Sequence, residues 1–514
     1  MYPSALAIDG RVGAGAHRNS KEAHVARPSP SALLLRAWRN LIELRLDDAL
    51  AAVGCFEGEI ARLQIPIAPR LHDFAAMLTA VLLVFNSQDG PTIRSALSVI
   101  EKRFRSTGMS PALATTLRVG YWKIRDLDRY YAVPRFKHPT TMHRCTHWVA
   151  SIIGPMFEAA AEAEQLRLTV AMRLARSAYE RALSRFGKRA PVTARAAVIL
   201  AELLDEEGRR DGVDSLITDS LSTLRASGDE DCTLRGYRVA ARRAARRGDT
   251  EFAFLILNEA IVLAVARDWF RMSAEALMLR AQLLLKEGRI RDAAICADRI
   301  EALSCDQTQA AYEAVHACLC LTRAHVMVAN GNARGGAKCL RELQEVSCIK
   351  RNHYWALQLS VLLSDALLAC GDDESEGRAV LVHALQVGMR AGAYQIFVDA
   401  GTRVTELLLT LHHGTPRDIL PAELAPYVDS ILADRARQNA GVQRTRASRG
   451  TESLSPREQC ILRSMSCGYS NKRIAQELQI APETVKSHVK GIFIKLAVQT
   501  RAHAVSTAGV LGLL

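Results

Sequence analysis

The stretch "AQLLLKEGRIRDA", residues 281–293, carries a helical apolar pattern up to a glycine and restarts one just beyond it. Ala281 and Leu284 lie three apart, on one face of a 3.6-residue helix, and Gly288 supplies the left-handed residue on which such helices end. The same text recurs as "AELLDEEGRRDG", "ARRAARRGDTEFA", "AHVMVANGNARGG" and "SDALLACGDDESEG". The turn glycines Gly208, Gly248, Gly288, Gly331 and Gly371 are spaced by 40, 40, 43 and 40 residues. Seven residues before each stands a small side chain: Ala201, Ala241, Ala281, Ala324 and Ser364. Four before stand Leu204, Ala244, Leu284, Met327 and Leu367 on the same face, so a partner helix can approach closely. One helical hairpin per period buries its apolar face only by stacking on its neighbours. The reading is an α-solenoid.

Outward from this register, residues 31–190 keep the helical three-and-four spacing without a clean repeat, and alternating strand patterns are almost absent. The chain is expected to be all-α. The middle resembles the tetratricopeptide-like superhelix, with a period longer than the roughly 34 residues of that family and without its aromatic positions. Residues 1–30 are rich in Ser, Pro, Arg and Gly and read as a mobile leader. The solenoid closes with "AYQIFVDAG", residues 393–401, and two further helical stretches. "ARQNAGVQRTRASRGTES" then loses apolar period and gains Arg444, Arg446 and Arg449, reading as a linker strand beside phosphates. The expected organisation is a leader at 1–30, repeats at 31–430, an Arg-rich linker at 431–452 and a terminal domain at 453–514.

Composition narrows the function. The 514 residues are 49% hydrophobic and 24% charged, with formal charge +13 and pI about 9.3, a balance that allows large cores and favours an anionic partner. The first thirty residues lack a signal-peptide apolar core, and apolar stretches such as residues 74–85 are too short to span a bilayer. A cytoplasmic protein with no membrane partner is expected. Twelve cysteines without a CxxC pair suggest reduced core thiols.

The terminal sixty residues carry the sharpest signal. "LSPREQCILRSMSCGYS" opens with Ser455 as N-cap, Pro456 at the first helical position and Glu458 at the third, a capping box, with Leu454 placed to staple it and Gly468 ending the helix. "SNKRIAQELQIAPETVKSHVK", residues 470–490, then gives a second helix over 471–478 and a third from Pro482, with Ile474, Ala475, Leu478, Val485, Val489, Ile492 and Leu496 facing inward. A fourth helix near 501–511 completes the core. Thr484, Lys486, Ser487 and Lys490 face outward, and eight basic residues against three glutamates leave residues 454–501 at +5. A positive helix with polar tips suits the major groove, where lysines meet guanine acceptors or phosphates.

These residues resemble the LuxR-type helix-turn-helix family nearly throughout its pattern, "LTxRE", "G.SNK.IA..L" and "TVK.H...I..KL.V..R..A". The resemblance implies groove contacts from Lys486, Ser487 and Lys490, and phosphate contacts from Thr484, Lys472 and Arg501. Ala481 departs from the family's usual Ser cap, at a cost of about 1 kcal/mol, and Ala497 replaces a common Gly. In this family the last helix commonly dimerises, so residues 505–514 are expected to pair two copies. Solenoid plus terminus resembles the back half of MalT-like regulators, whose repeats bind inducers. The ATPase of their full form is not expected here, since the sequence has no GxxxxGK[ST].

Other clusters read as structure. Arg235, Arg238, Arg242, Arg243, Arg246 and Arg247 are expected on a solvated helix face. His143, Cys145 and His147 have no fourth metal ligand nearby, Cys318 and Cys320 read as core thiols, and Trp122, Tyr130, Tyr131 and Trp148 read as packing. No catalytic constellation, cofactor motif or metal site emerges, so an enzyme is not expected. The expected function is a DNA-binding transcription regulator of bacterial type, an activator by family resemblance. Its partners are double-stranded DNA, a protein or small-molecule effector on the repeats, RNA polymerase and a second copy of the chain. The alternative is an interaction scaffold whose terminal domain serves only for association.

Overall fold

The computed structural model describes residues 28–42, 46–63 and 75, and 149–510 apart from short breaks at 210, 227–228, 304–308, 347–350, 372–373, 414–420, 452–454, 479, 497 and 499. The leader through residue 27, the stretch 76–148 with its aromatic and His/Cys clusters, Leu454, Ala497 and residues 511–514 lie outside the described residues. Among those described there is no strand. The order begins with α1 (Pro30–Ile42) and α2 (Leu46–Leu63). After a π turn at Val149–Ile153 come α3 (Gly154–Glu164) and α4 (Leu168–Phe186). Five repeat hairpins follow: α5 (Pro191–Glu206) with α6 (Val213–Ala226), α7 (Glu230–Arg246) with α8 (Thr250–Ala266), α9 (Phe270–Lys286) with α10 (Ile290–Ala302), α11 (Gln309–Ala329) with α12 (Ala333–Gln344), and α13 (His353–Cys370) with α14 (Glu374–Ala391). The repeats end in α15 (Gln395–Val398), α16 (Thr402–His413) and α17 (Ala425–Thr451). The terminal domain is α18 (Pro456–Ser466), α19 (Asn471–Glu477), α20 (Pro482–Lys495) and α21 (Arg501–Val510).

Each hairpin is built on its turn glycine. All five adopt left-handed φ, from +72° at Gly208 to +85° at Gly331. At four of them the amide just beyond donates back to the carbonyl four residues before the glycine: Arg209 to Leu204, Asp249 to Ala244, Arg289 to Leu284 and Asn332 to Met327, at 2.9–3.0 Å. These bonds satisfy the last carbonyls of each first helix. The small residues two turns earlier are buried to the last, Ala201, Ala241, Ala281, Ala324 and Ser364. The Ser364 hydroxyl donates to the Gly377 carbonyl of the partner helix at 2.8 Å.

The stack does not remain open. Its two ends meet: the Gln165 side chain donates to the Arg351 carbonyl at 2.6 Å, Tyr354 donates to the Glu206 carboxylate, and the Ile396 amide lies 3.4 Å from Glu206 Oε1, 190 residues away. One hydrophobic core runs from Leu33 on α1 through α5 to Val428 and Ile431 on α17, while a second fills α7 to α13. Two departures from the sequence reading follow from packing. The arginines of α7 are not a solvated face. Arg235 binds Glu202, Asp231 and Glu164, Arg238 binds Glu202 and Glu275, Arg243 binds Asp205 and Asp214, and Arg246 joins Asp205 to Asp399 at 2.8 and 2.6 Å. Burial pushes the Glu202 carboxyl up, yet Arg235 and Arg238 hold it below its ordinary range. Because α7 is walled by α5, α9 and the returning α15, Arg235, Arg238, Arg243 and Arg246 each meet at least one carboxylate from another element, while Arg247 just past the helix stays exposed as the sequence reading has it. Residues 436–451, read as an extended linker, are instead the second half of α17. Without proline, and with Ala, Arg and Gln as good helix formers, the segment continues the helix despite lacking an apolar stripe.

Candidate nucleic-acid interface

The terminal domain has its own core of Ile461, Leu462, Met465, Ile474, Ala475, Val485, Val489, Ile492, Val498, Ala504 and Ala508, with Leu478 and Leu496 partly buried against it. Its helix starts are set by side chains. Ser455 accepts from the Glu458 amide at 3.2 Å while the Glu458 carboxylate accepts from the Ser455 amide at 2.7 Å, a complete capping box. Ser470 accepts from the Arg473 amide at 3.3 Å and starts α19. Gly468, at φ +78°, ends α18. α20 begins with only the Ala481 carbonyl, which accepts from Thr484 at 2.9 Å and Val485 at 3.2 Å.

Because Val485, Val489 and Ile492 are held in the core, the opposite face of α20 is forced outward. Thr484, Lys486, Ser487 and Lys490 are all exposed on it, together with Lys472 on α19. Lys486 lies 3.6 Å from Glu483, and with side chains 71% and 84% exposed this pair does little to hold the lysine back. Arg501 is placed differently. Its guanidinium donates to Asn471 Oδ1 at 3.0 Å and to the Tyr469 carbonyl, and burial lowers its pKa. It pins the start of α21 to the entrance of α19.

Two contacts were not anticipated. Arg457 donates to the Leu478 carbonyl at 2.7 Å, tying α18 to the end of α19 where the chain turns into α20. The Arg473 guanidinium lies 3.9 Å from the centre of the Tyr469 ring, which stiffens an exposed cation beside Lys472. The four-residue spacing of Tyr469 and Arg473 was the available signal. The arrangement is a convex helix with lysines and hydroxyl groups aligned on one face and flanked by further cations, while the buried Glu458 carboxylate, packed against Gly491 of α20, is taken up by the Ser455 amide.

Residues 452–508 match the family model of the bacterial regulatory proteins of the luxR family, and residues 137–413, more than half of the chain, match that of the MalT-like TPR region. The chain belongs to the MalT-like TPR family and ends in a LuxR-family domain. This MalT-like chain is 35% identical over 142 residues to the probable transcriptional regulatory protein NarL of Mycobacterium tuberculosis, covering 28% of this chain and 57% of that protein. It is 29% identical over 167 residues to the HTH-type transcriptional regulator MalT of Yersinia enterocolitica, covering 30% of this chain and 18% of that one. A solved structure of a Rap protein complexed with competence and sporulation factor aligns over 81% of this chain and 98% of its own, at 10% identity and TM-score 0.42. The MalT-like chain therefore spans less than two thirds of the curated relatives it matches.

Proposed function

We propose that the protein is a sequence-specific DNA-binding transcriptional regulator whose repeats sense a protein or small-molecule signal. The observation that carries this is the exposed face of α20, where Thr484, Lys486, Ser487 and Lys490 align opposite the buried Val485, Val489 and Ile492. In this reading α20 enters the major groove, Lys486, Ser487 and Lys490 meet base edges, and Thr484 and Lys472 meet phosphates. Arg501, half-buried and bonded to Tyr469 and Asn471, acts mainly by positioning α19. Two copies joined through α21 would read half-sites about one helical turn, roughly 34 Å, apart.

The signal would enter through the closed repeat region. An open, mainly apolar groove lined by Leu166, Leu357, His383, Val387 and Arg390 lies where α13 and α14 meet the loop after α3, and is the surface we assign to a small effector. Effector binding would bias the terminal domain between occluded and released states through α17, recruiting RNA polymerase as an activator does. We place the end of the repeat region at the end of α17 and the start of the terminal domain at residue 453.

Selection from random duplex DNA with the whole chain tests the reading, with a Lys486→Ala, Lys490→Ala double variant beside it at several salt concentrations. A recovered motif that weakens at least tenfold in the variant, with a shallower salt slope, supports it. Binding that yields no motif and ignores both lysines overturns it in favour of an interaction scaffold.

A further inference from the structure

Among the described residues, the terminal domain and the ionic wall of α7 leave a cysteine–histidine cluster unused in the fourth repeat hairpin. Gly336 on α12 lets that helix sit directly on α11: a Cβ at Gly336 would come within 2.6 Å of Val328 Cγ2 and 3.1 Å of the Ala324 carbonyl oxygen. One turn further along this contact stand Cys339, three residues after Gly336, and Cys320, four before Ala324. They are drawn together by the same close approach. The Cys339 thiol donates to the Cys320 carbonyl oxygen at 3.6 Å, so the two cysteines meet across the hairpin. On the other side of Cys320, the His316 ring nitrogens lie 3.7 and 3.8 Å from its sulfur, with Tyr312 stacked on that imidazole at 5.8 Å. Both cysteines are half-buried, unlike Cys318 and Cys296, which are sealed in the core.

We propose that Cys320 and Cys339 form a peroxide-oxidisable dithiol, a modification site in which Cys339 is attacked first and Cys320 resolves it. The Cys339 thiolate sulfur bonds to one peroxide oxygen as the O–O bond breaks, giving a sulfenic acid while the other oxygen leaves as water after taking a proton. The sulfur is oxidised by two electrons and the peroxide is reduced by two. Cys320 sulfur then attacks the sulfenic sulfur, the S–S bond forms, and hydroxide departs as water with the Cys320 proton, for which His316 is the adjacent acceptor. The order of attack follows from the contact between the thiols. Hydrogen bonding from Cys320 outweighs burial and lowers the Cys339 thiol from its ordinary range, and the same contact raises Cys320. The product joins α11 to α12 covalently within a single repeat.

The test uses the full chain with the exposed thiols of Cys55, Cys460 and Cys467 replaced by serine. It is treated with a small excess of hydrogen peroxide, alkylated with N-ethylmaleimide after unfolding, and mapped by peptide mass spectrometry. The expected product is one peptide pair joined through Cys320 and Cys339, lighter by two hydrogens and restored by dithiothreitol. Adding Cys320→Ser should stop the reaction at a dimedone-trapped sulfenic acid on Cys339. The unsubstituted chain guards against a folding defect in the variants and should give the same cross-linked pair. Maleimide on both cysteines, at a peroxide dose that consumes the exposed thiols of the unsubstituted chain, overturns the proposal. So does a cross-link from Cys339 to any other cysteine, or dimedone on Cys320 instead.

Discussion

At the scale of single residues, the terminal domain shows how a cap decides where a helix begins. Ser455 and Ser470 each offer an oxygen to the backbone amide three residues on, whereas Ala481 offers only its carbonyl to the start of α20. Ala481→Ser should therefore stabilise the domain by about 1 kcal/mol, read as a higher melting temperature for the terminal unit. An unchanged or lowered midpoint would show that Pro482 and Glu483 already satisfy that turn. The outward Lys486, Ser487 and Lys490 were legible from spacing alone, because the apolar positions between them leave one free face. Arg501 was not. Its long stem can carry the guanidinium either to solvent or inward, and only the folded position of the Tyr469 carbonyl settles which.

At the scale of elements, the repeat hairpins separate a backbone requirement from a packing requirement. Gly288, at φ +74°, has open space where a Cβ would be, so Gly288→Ala meets only the left-handed strain of roughly 1 kcal/mol. Gly208, at φ +72°, has the Tyr394 ring 2.9 Å from that point. Tyr394 cannot easily swing aside, since its hydroxyl is held to the Ser430 carbonyl at 2.6 Å and to Asp434 at 2.7 Å. Gly208→Ala is thus expected to lower the denaturation midpoint clearly more than Gly288→Ala, and equal effects would contradict the close approach of Tyr394. The periodic glycines and small residues make the hairpins legible in the amino-acid sequence, because the left-handed turn and the close approach of the two paired helices act within one repeat, whereas the approach of Tyr394 to Gly208 does not. The helical course of residues 436–451 was missed because the reading relied on apolar period, and a helix polar on every side has none.

At the scale of the whole molecule, closure places Glu206 of α5 against elements from the far end of the repeats. Burial pushes its carboxyl up from 4.5 to about 7, against the opposing hydrogen bond from Tyr354 and the charges of Arg242 and Arg246, with Asp399 adding to the rise. The folded state then holds a proton that the unfolded chain has released, so this group's stabilisation is complete below pH 4.5 and is lost as pH rises through about 7. Glu206→Gln should flatten that part of the stability profile, as measured by chemical denaturation from pH 5 to 8. A profile whose slope matches the unsubstituted chain would remove Glu206 from the closure. The order of residues along the chain was enough to specify the helical class, the repeat register, the terminal domain and its outward lysines, because each rests on residues within a few turns of one another. Packing in three dimensions settled that the stack closes, that Arg235, Arg238, Arg243 and Arg246 are held in ion pairs, and that Cys320 meets Cys339. Those contacts join residues from 19 to 190 positions apart, and their energies depend on which walls of the fold exclude water around them.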